Sequence, residues 1–209
     1  FSLPENSDGE TIVGSIEATD PEADTLSYSL EGDGFDTNDT GELFVTSETD
    51  LDFETNPSRE LTVTVSDGEL TETATVTVNL TDVNETPIVE DQSFSLPENS
   101  DGETVVGSIE ATDPEEDEIS YNIDSDIFAI DTDTGEVSVT DATVLDFETN
   151  SSFDLSVTVS DGIITNTATV TVNLTDVNET PIVEDQSFSL PENSDGETVV
   201  GSIEASDPE

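Results

Sequence analysis

The sequence predicts an all-β protein built of tandem seven-stranded Greek-key β-sandwiches arranged head to tail. Three observations predict it. Apolar residues alternate with Thr and Ser in "LTVTVS" (61–66), "ATVTVNL" (74–80) and "LSVTVS" (155–160), which is the two-residue period of half-buried strands. No stretch has a helical period. Residues 73–111 return unchanged as 167–205, an offset of 94 residues (167 minus 73). That period is too long for a solenoid turn and fits one small domain with its own core.

In the second copy, strand-like segments fall at 93–97, 104–111, 119–123, 127–130, 136–140, 154–160 and 167–174. Turn signals divide them: "SDGE" at 100–103, "DPEED" at 113–117, "DTDTGE" at 131–136 and "SDG" at 160–162. Short strands so spaced read as an antiparallel Greek-key sandwich. Its inward residues would be Val105, Ile109, Ile119, Tyr121, Phe128, Ile130, Val137, Leu155, Val157, Val159, Val170, Val172 and Leu174. The first copy would bury Ile12, Ile16, Leu26, Tyr28, Leu43, Leu61, Val63, Val65, Val76, Val78 and Leu80. Between strands, "LDFET" (51–55 and 145–149) reads as a loop with a core anchor at Phe53 or Phe147. The expected division is 1–86 as a repeat entered partway through its first strand, 87–180 as a complete repeat, and 181–209 as the start of a third. The whole reads as a window on a longer array.

Composition narrows the function. There are 53 Asp and Glu against one basic residue, Arg59, for a formal net charge of −52. Such a surface repels phosphate backbones and anionic lipid, so nucleic-acid binding and electrostatic membrane docking are not expected. Charge of this size favours disorder, but the strand alternation argues for a fold. With no Cys and no His, there is no disulfide framework, no thiolate or zinc site, and no His acid/base chemistry. No apolar run approaches the roughly 20 residues needed to span a bilayer.

The acids collect at the ends of each predicted sandwich: "PEN" (4–6, 97–99), "LDFE" (51–54, 145–148), "DVNE" (82–85, 176–179), "DPE" (20–22, 113–115) and "SDG" (66–68, 160–162). Like charges at ~4 Å repel by about 4 kcal/mol at an effective dielectric of ~20, so such clusters call for a counterion.

These five motifs, which follow one another along the chain as PEN, DPE, LDFE, SDG and DVNE in both copies, resemble the signature of a cadherin repeat, of the kind found in large bacterial and archaeal surface proteins as well as in animals. That signature comprises PEN, an LDRE-type loop, an AxDxD turn, a strand ending in Asp-Gly and a DxNDNxP linker. The resemblance covers the whole chain and implies an immunoglobulin-like sandwich with calcium at each junction between repeats. At the first junction it implies Glu5, Asp52, Glu54, Asp82, Asn84 and Glu85 from one repeat with Asp113, Glu115 and Asp161 from the next. At the second it implies Glu98, Asp146, Glu148, Asp176, Asn178 and Glu179 with Asp207 and Glu209. At the leading end of the first repeat, Asp20, Glu22 and Asp67 match ligand positions. Calcium takes six to eight oxygen ligands in a flexible geometry, whereas magnesium demands a tighter octahedron. The chain departs from the family where "DVNETP" is one residue shorter than DxNDNxP and where Glu22 and Glu115 replace the second Asp of the turn. Asp24 or Asp117 could then substitute, and either two or three Ca2+ per junction would fit.

The function so implied is a calcium-stiffened segment of a long extracellular adhesin, stalk or surface filament, with calcium ions, neighbouring repeats and like chains as partners. The alternative is a polysaccharide-binding, secreted or cell-surface module, although a surface glycan would normally meet exposed aromatic platforms. A carboxylate pair such as Asp52 with Glu54 could mimic a glycosidase, but Trp is absent and aromatics are 5% of residues. The expectation is therefore that the chain is not an enzyme. Strand exchange through a Trp is likewise excluded.

Overall fold

The structure is a computed structural model that describes residues 1–46 and 51–208. It falls into two compact units, Phe1–Glu85 and Thr86–Glu209. In the first, β1 (Ser2–Pro4), β2 (Ile12–Ser15), β3 (Ser27–Glu31), β4 (Phe35–Thr37), β5 (Glu42–Val45), β6 (Ser58–Ser66) and β7 (Thr71–Thr81) form two sheets, ordered β1-β7-β6-β3 and β2-β5-β4.

The second unit repeats the plan with β8 (Ile88–Val89), β9 (Gln92–Pro97), β10 (Val105–Ser108), β11 (Ala111–Thr112), β12 (Ser120–Ile123), β13 (Phe128–Ile130), β14 (Glu136–Val139), β15 (Ser152–Ser160) and β16 (Thr165–Thr175). Its sheets are β9-β16-β15-β12 and β10-β14-β13, with β8 paired to β11. The segment expected at 104–111 is thus two strands serving different partners.

Pairing is antiparallel except between the first and last strands of each sandwich. There β1 with β7 and β9 with β16 run parallel, which corrects the wholly antiparallel reading. The reason is topological. When each strand reverses the last, the first and seventh run the same way, and pairing them must be parallel.

Each core fills the space between two sheets. In the second unit Leu96, Tyr121, Phe128, Val137, Val157, Val159, Val170 and Val172 are buried together, each large side chain contributing about 1.5–3 kcal/mol over exposure. Most expected inward residues point there, but Val105 and Ile12 are 51% and 60% exposed. Irregular register between Val105 and Gly107, and between Ile12 and Gly14, turns the next residues, Val106 and Val13, onto the cores instead. One extra residue in a strand reverses its faces. The glycine matters: a Cβ at Gly107 would lie 2.4 Å from the Phe94 ring.

The loop anchor also differs from expectation. Leu51 and Leu145 are 1% exposed, while Phe53 and Phe147 pack only partly buried against the cores.

Beyond β16, residues 181–208 carry no strand, only an isolated bridge between Ile182 and Ser206.

Candidate metal centre

The parallel pairing of first and last strands creates the trailing acidic end of each unit. Register Pro4↔Thr81 and Pro97↔Thr175 brings both strands to finish side by side, so the acids that follow each strand meet. Glu5 and Glu98 are the pivots, each 2% exposed. Glu5 accepts from Phe53 N at 2.7 Å and from Val83 N at 2.8 Å. Glu98 accepts from Phe147 N and Val177 N, both at 2.7 Å. One carboxylate thereby ties "PEN" to the "LDFE" loop and to the "DVNE" linker, and its charge is met by backbone dipoles.

Around each pivot the other acids gather. Carboxylate oxygens of Glu5, Asp52 and Glu54 lie within 4.8 Å of one another, and so do those of Glu98, Glu148 and Asp176. Asp52 accepts from Thr55 N at 2.8 Å and Thr55 Oγ1 at 2.7 Å. These bonds, with a smaller pull from Arg59, hold its carboxyl below the ordinary 3.8. Asp146 has the same partners in Thr149 N and Oγ1, at 3.0 and 2.9 Å. For Glu148, its own backbone N–H pulls the value down, but desolvation and the charges of Glu98, Asp176 and Glu179 raise it above 4.5. Mutual repulsion is thus already felt at this cluster.

Glu85 and Glu179 are held by amides that the sequence reading did not single out. Asn6 Nδ2 donates to Glu85 Oε1, and Asn99 Nδ2 donates to Glu179 Oε1 at 2.8 Å. Both Asn take positive φ, 53° and 55°, a conformation Asn tolerates. The last letter of "PEN" was the available signal. Asn84 and Asn178 each donate Nδ2 to the backbone oxygen of the following Glu, both at 2.8 Å. Asp82 and Asp176 are exposed; Asp176 joins its three-carboxylate group and Asp82 joins none of those found.

The leading ends use Asp-centred turns. Asp113 Oδ1 accepts from Glu115 N and Asp117 N, each at 3.2 Å. Its other oxygen, Oδ2, is buried and accepts no hydrogen bond among the described residues, an acceptor suited to a cation. Asp161 Oδ1 accepts from Ile163 N and Ile164 N at 2.6 Å. In the first unit Asp20 Oδ1 accepts from Glu22 N at 2.8 Å and Asp24 N at 3.0 Å. Asp67 Oδ1 accepts from Leu70 N and Glu69 N, which hold its carboxyl below the ordinary 3.8. Asp20 and Asp67 border the same groove. Asp207 is exposed, and Glu209 lies outside the described residues.

The oxygens gathered here belong to carboxylates and side-chain amides, clustered and partly desolvated, with Asp113 Oδ2 buried and accepting no hydrogen bond among the described residues. That set fits a hard cation such as calcium.

Fold and site define a class: tandem β-sandwich repeats whose carboxylates converge at the sandwich ends. The Cadherin domain profile matches residues 1–81 and 92–175, and the chain belongs to that family. Over 150 residues it is 34% identical to Protein dachsous of Drosophila melanogaster, and over 187 residues 32% identical to Cadherin-87A of the same species. These alignments cover 65% and 81% of this chain but only 4% and 9% of those proteins. Among solved structures, Protocadherin Gamma B2 extracellular cadherin domains 3–6 superpose with a TM-score of 0.69 at 24% identity. That likeness covers 99% of this chain and 53% of the other, and shows the fold. Cadherin repeats are modules of cell-surface ectodomains, and this chain is made of them. No helix among the described residues is long and apolar enough to cross a membrane.

Proposed function

We propose that the chain is a calcium-stiffened segment of a long extracellular adhesin, stalk or surface filament, in which Ca2+ bridges consecutive repeats. The division into 1–86, 87–180 and the start of a third repeat at 181–209 belongs to this reading. The observation that carries it is the trailing cluster, where a buried glutamate bonded to two backbone N–H groups sits beside two further carboxylates within 4.8 Å. Such a cluster repels itself without a cation. The trailing residues Glu5, Asp52, Glu54, Asp82, Asn84 and Glu85 would hold ions together with Asp113, Glu115 and Asp161. Their counterparts Glu98, Asp146, Glu148, Asp176, Asn178 and Glu179 would do so with Asp207 and Glu209. When bound, calcium supplies the positive charge that lets these acids remain ionised at close range.

Affinity in the range of extracellular modules, about 10⁻⁴–10⁻³ M, suits an external setting. Small-angle scattering at fixed ionic strength tests the reading. Maximum dimension and stiffness should rise with millimolar calcium and not with magnesium, and Asp113→Ala should weaken the rise. A shape indifferent to calcium would overturn it.

A further inference from the structure

The second unit presents an unengaged asparagine amide where the chain enters β15. After "LDFET", residues Asn150, Ser151 and Ser152 are exposed in succession. Their backbone is fixed: Asn150 N donates to the Asp146 carbonyl at 2.8 Å, and Leu174 N donates to the Ser151 carbonyl at 2.9 Å. Their side chains are not. Asn150 Nδ2 and the Ser152 hydroxyl make no hydrogen bond among the described residues. Asn-x-Ser/Thr, with any residue but proline between, is the acceptor pattern for N-linked sugar, and it works from a surface position.

The pattern occurs at Asn38, Asn79, Asn84, Asn150, Asn173 and Asn178, and the fold sets Asn150 apart. Asn38 is folded on itself: its Oδ1 accepts from Thr40 N, Thr40 Oγ1 and Glu42 N, and its Nδ2 donates to Glu42 Oε2 at 2.9 Å. Asn79 and Asn173 stand within β7 and β16, paired with Ser58 and Ser152, so their backbones leave the sheet only by opening it. Asn84 and Asn178 commit Nδ2 to the carbonyl of the next residue. The first unit supplies a control. At the position of Asn150 it has Asn56, exposed and with the same backbone bonds, Asn56 N to the Asp52 carbonyl at 3.0 Å and Leu80 N to the Pro57 carbonyl at 2.9 Å. Its triplet is Asn56-Pro57-Ser58, and proline, which fixes φ and lacks an N–H, bars it from the pattern.

We propose that Asn150 is an N-glycosylation site, the acceptor of an oligosaccharide carried on a polyprenyl diphosphate. In the transfer a bond forms between Asn150 Nδ2 and the anomeric carbon of the sugar, while the bond from that carbon to the diphosphate oxygen breaks. The diphosphate leaves with the electron pair, and one amide proton passes to a base of the transferase. The Ser152 hydroxyl, two residues on, is open for the enzyme to recognise. Modules of cell-surface ectodomains are exported, and exported chains are the ones that meet such donors. The site needs no bound ion, so it stands whether or not calcium bridges the repeats.

The test incubates the folded full chain with a purified oligosaccharyltransferase and a polyprenyl-diphosphate-linked oligosaccharide, and follows each site by mass spectrometry of the glycopeptides. Asn150 should gain sugar about tenfold faster than Asn38, Asn79 and Asn173, whose local structure must first open. Asn150→Gln should remove that product. Pro57→Ser turns residues 54–58 into Glu-Thr-Asn-Ser-Ser, the letters of 148–152, and should make Asn56 a second acceptor at a comparable rate. The free peptide Phe-Glu-Thr-Asn-Ser-Ser-Phe, the sequence of 147–153, reports that transferase and donor are active. Sugar on the peptide but none on Asn150 would overturn the proposal, as would equal rates at Asn150 and Asn173.

Discussion

Glu98 and Val177 lie 79 residues apart in sequence, yet Glu98 Oε1 accepts a 2.7 Å hydrogen bond from Val177 N. Glu5 and Val83 form the same bond in the first unit, at 2.8 Å. The contact fastens the linker to the end of the first strand, so a site residue is also a structural clasp.

Removing the clasp has a cost independent of any ion. Glu98→Ala would strand two backbone donors, those of Phe147 and Val177, at about 1–3 kcal/mol for each that stays dry. Glu98→Gln retains one acceptor oxygen and should lose less. Urea titrations in chelator would rank the variants, and an alanine variant as stable as the parent would refute the clasp.

Calcium should stabilise what it binds. With a dissociation constant of about 10⁻⁴–10⁻³ M, ~10 mM calcium adds about 1.4–2.7 kcal/mol per independent site. Thermal midpoints should rise with calcium and return on chelation. Midpoints that track only ionic strength would instead identify general screening.

Without calcium, two sets of acids titrate in opposite senses. Asp52, Asp131 and Asp141 are held below 3.8, chiefly by the Thr55 N–H, the Thr134 N–H and the Thr143 hydroxyl respectively. A depressed folded value supplies stability that is in place above pH 3.8 and is lost as pH falls through the folded value. Glu148 is raised above 4.5, so its contribution is full below pH 4.5 and is withdrawn as pH rises through the raised value. Thermal midpoints in chelator should therefore decline on both sides of about pH 4, and Glu148→Gln should flatten the decline above it. An unchanged slope in that variant would show that Glu148 is not a focus of the repulsion.

The loop anchor gives a packing test. Leu145→Ala should cost about 2–5 kcal/mol, the range for a buried leucine that leaves a cavity. Phe147→Ala removes a side chain that is only partly buried and should cost less. The reverse order in denaturant midpoints would return the anchor to the phenylalanine.

Strand positions, turns and acidic motifs were legible because each is local. Alternation in "LSVTVS" marks a half-buried strand wherever its partner lies. Alternation does not name the partner. It gave no warning that β9 would pair in parallel with β16, that a register irregularity would expose Val105, or that "LDFET" would insert its leucine more deeply than its phenylalanine. Asn99 was visible as a letter of "PEN", but its bond to Glu179 spans 80 residues.

Identical sequence in two settings separates the two contributions. "QSFSLPEN" at 92–99 forms β9 beside β16, with Leu96 and Glu98 each 2% exposed. At 186–193 the same letters form no strand, and Leu190 is 50% exposed. Short-range features persist in both: Ser100 and Ser194 each donate to the carbonyl of the Pro three residues before, and Gln92 and Gln186 each bond the backbone of a Glu eighteen residues on. The sequence by itself determined those turns, the strand periodicity and the array of acids. Whether a stretch becomes a strand, and whether its glutamate becomes a buried pivot, was decided by tertiary structure, because the backbone bonds and apolar cover it needs come from residues far along the chain.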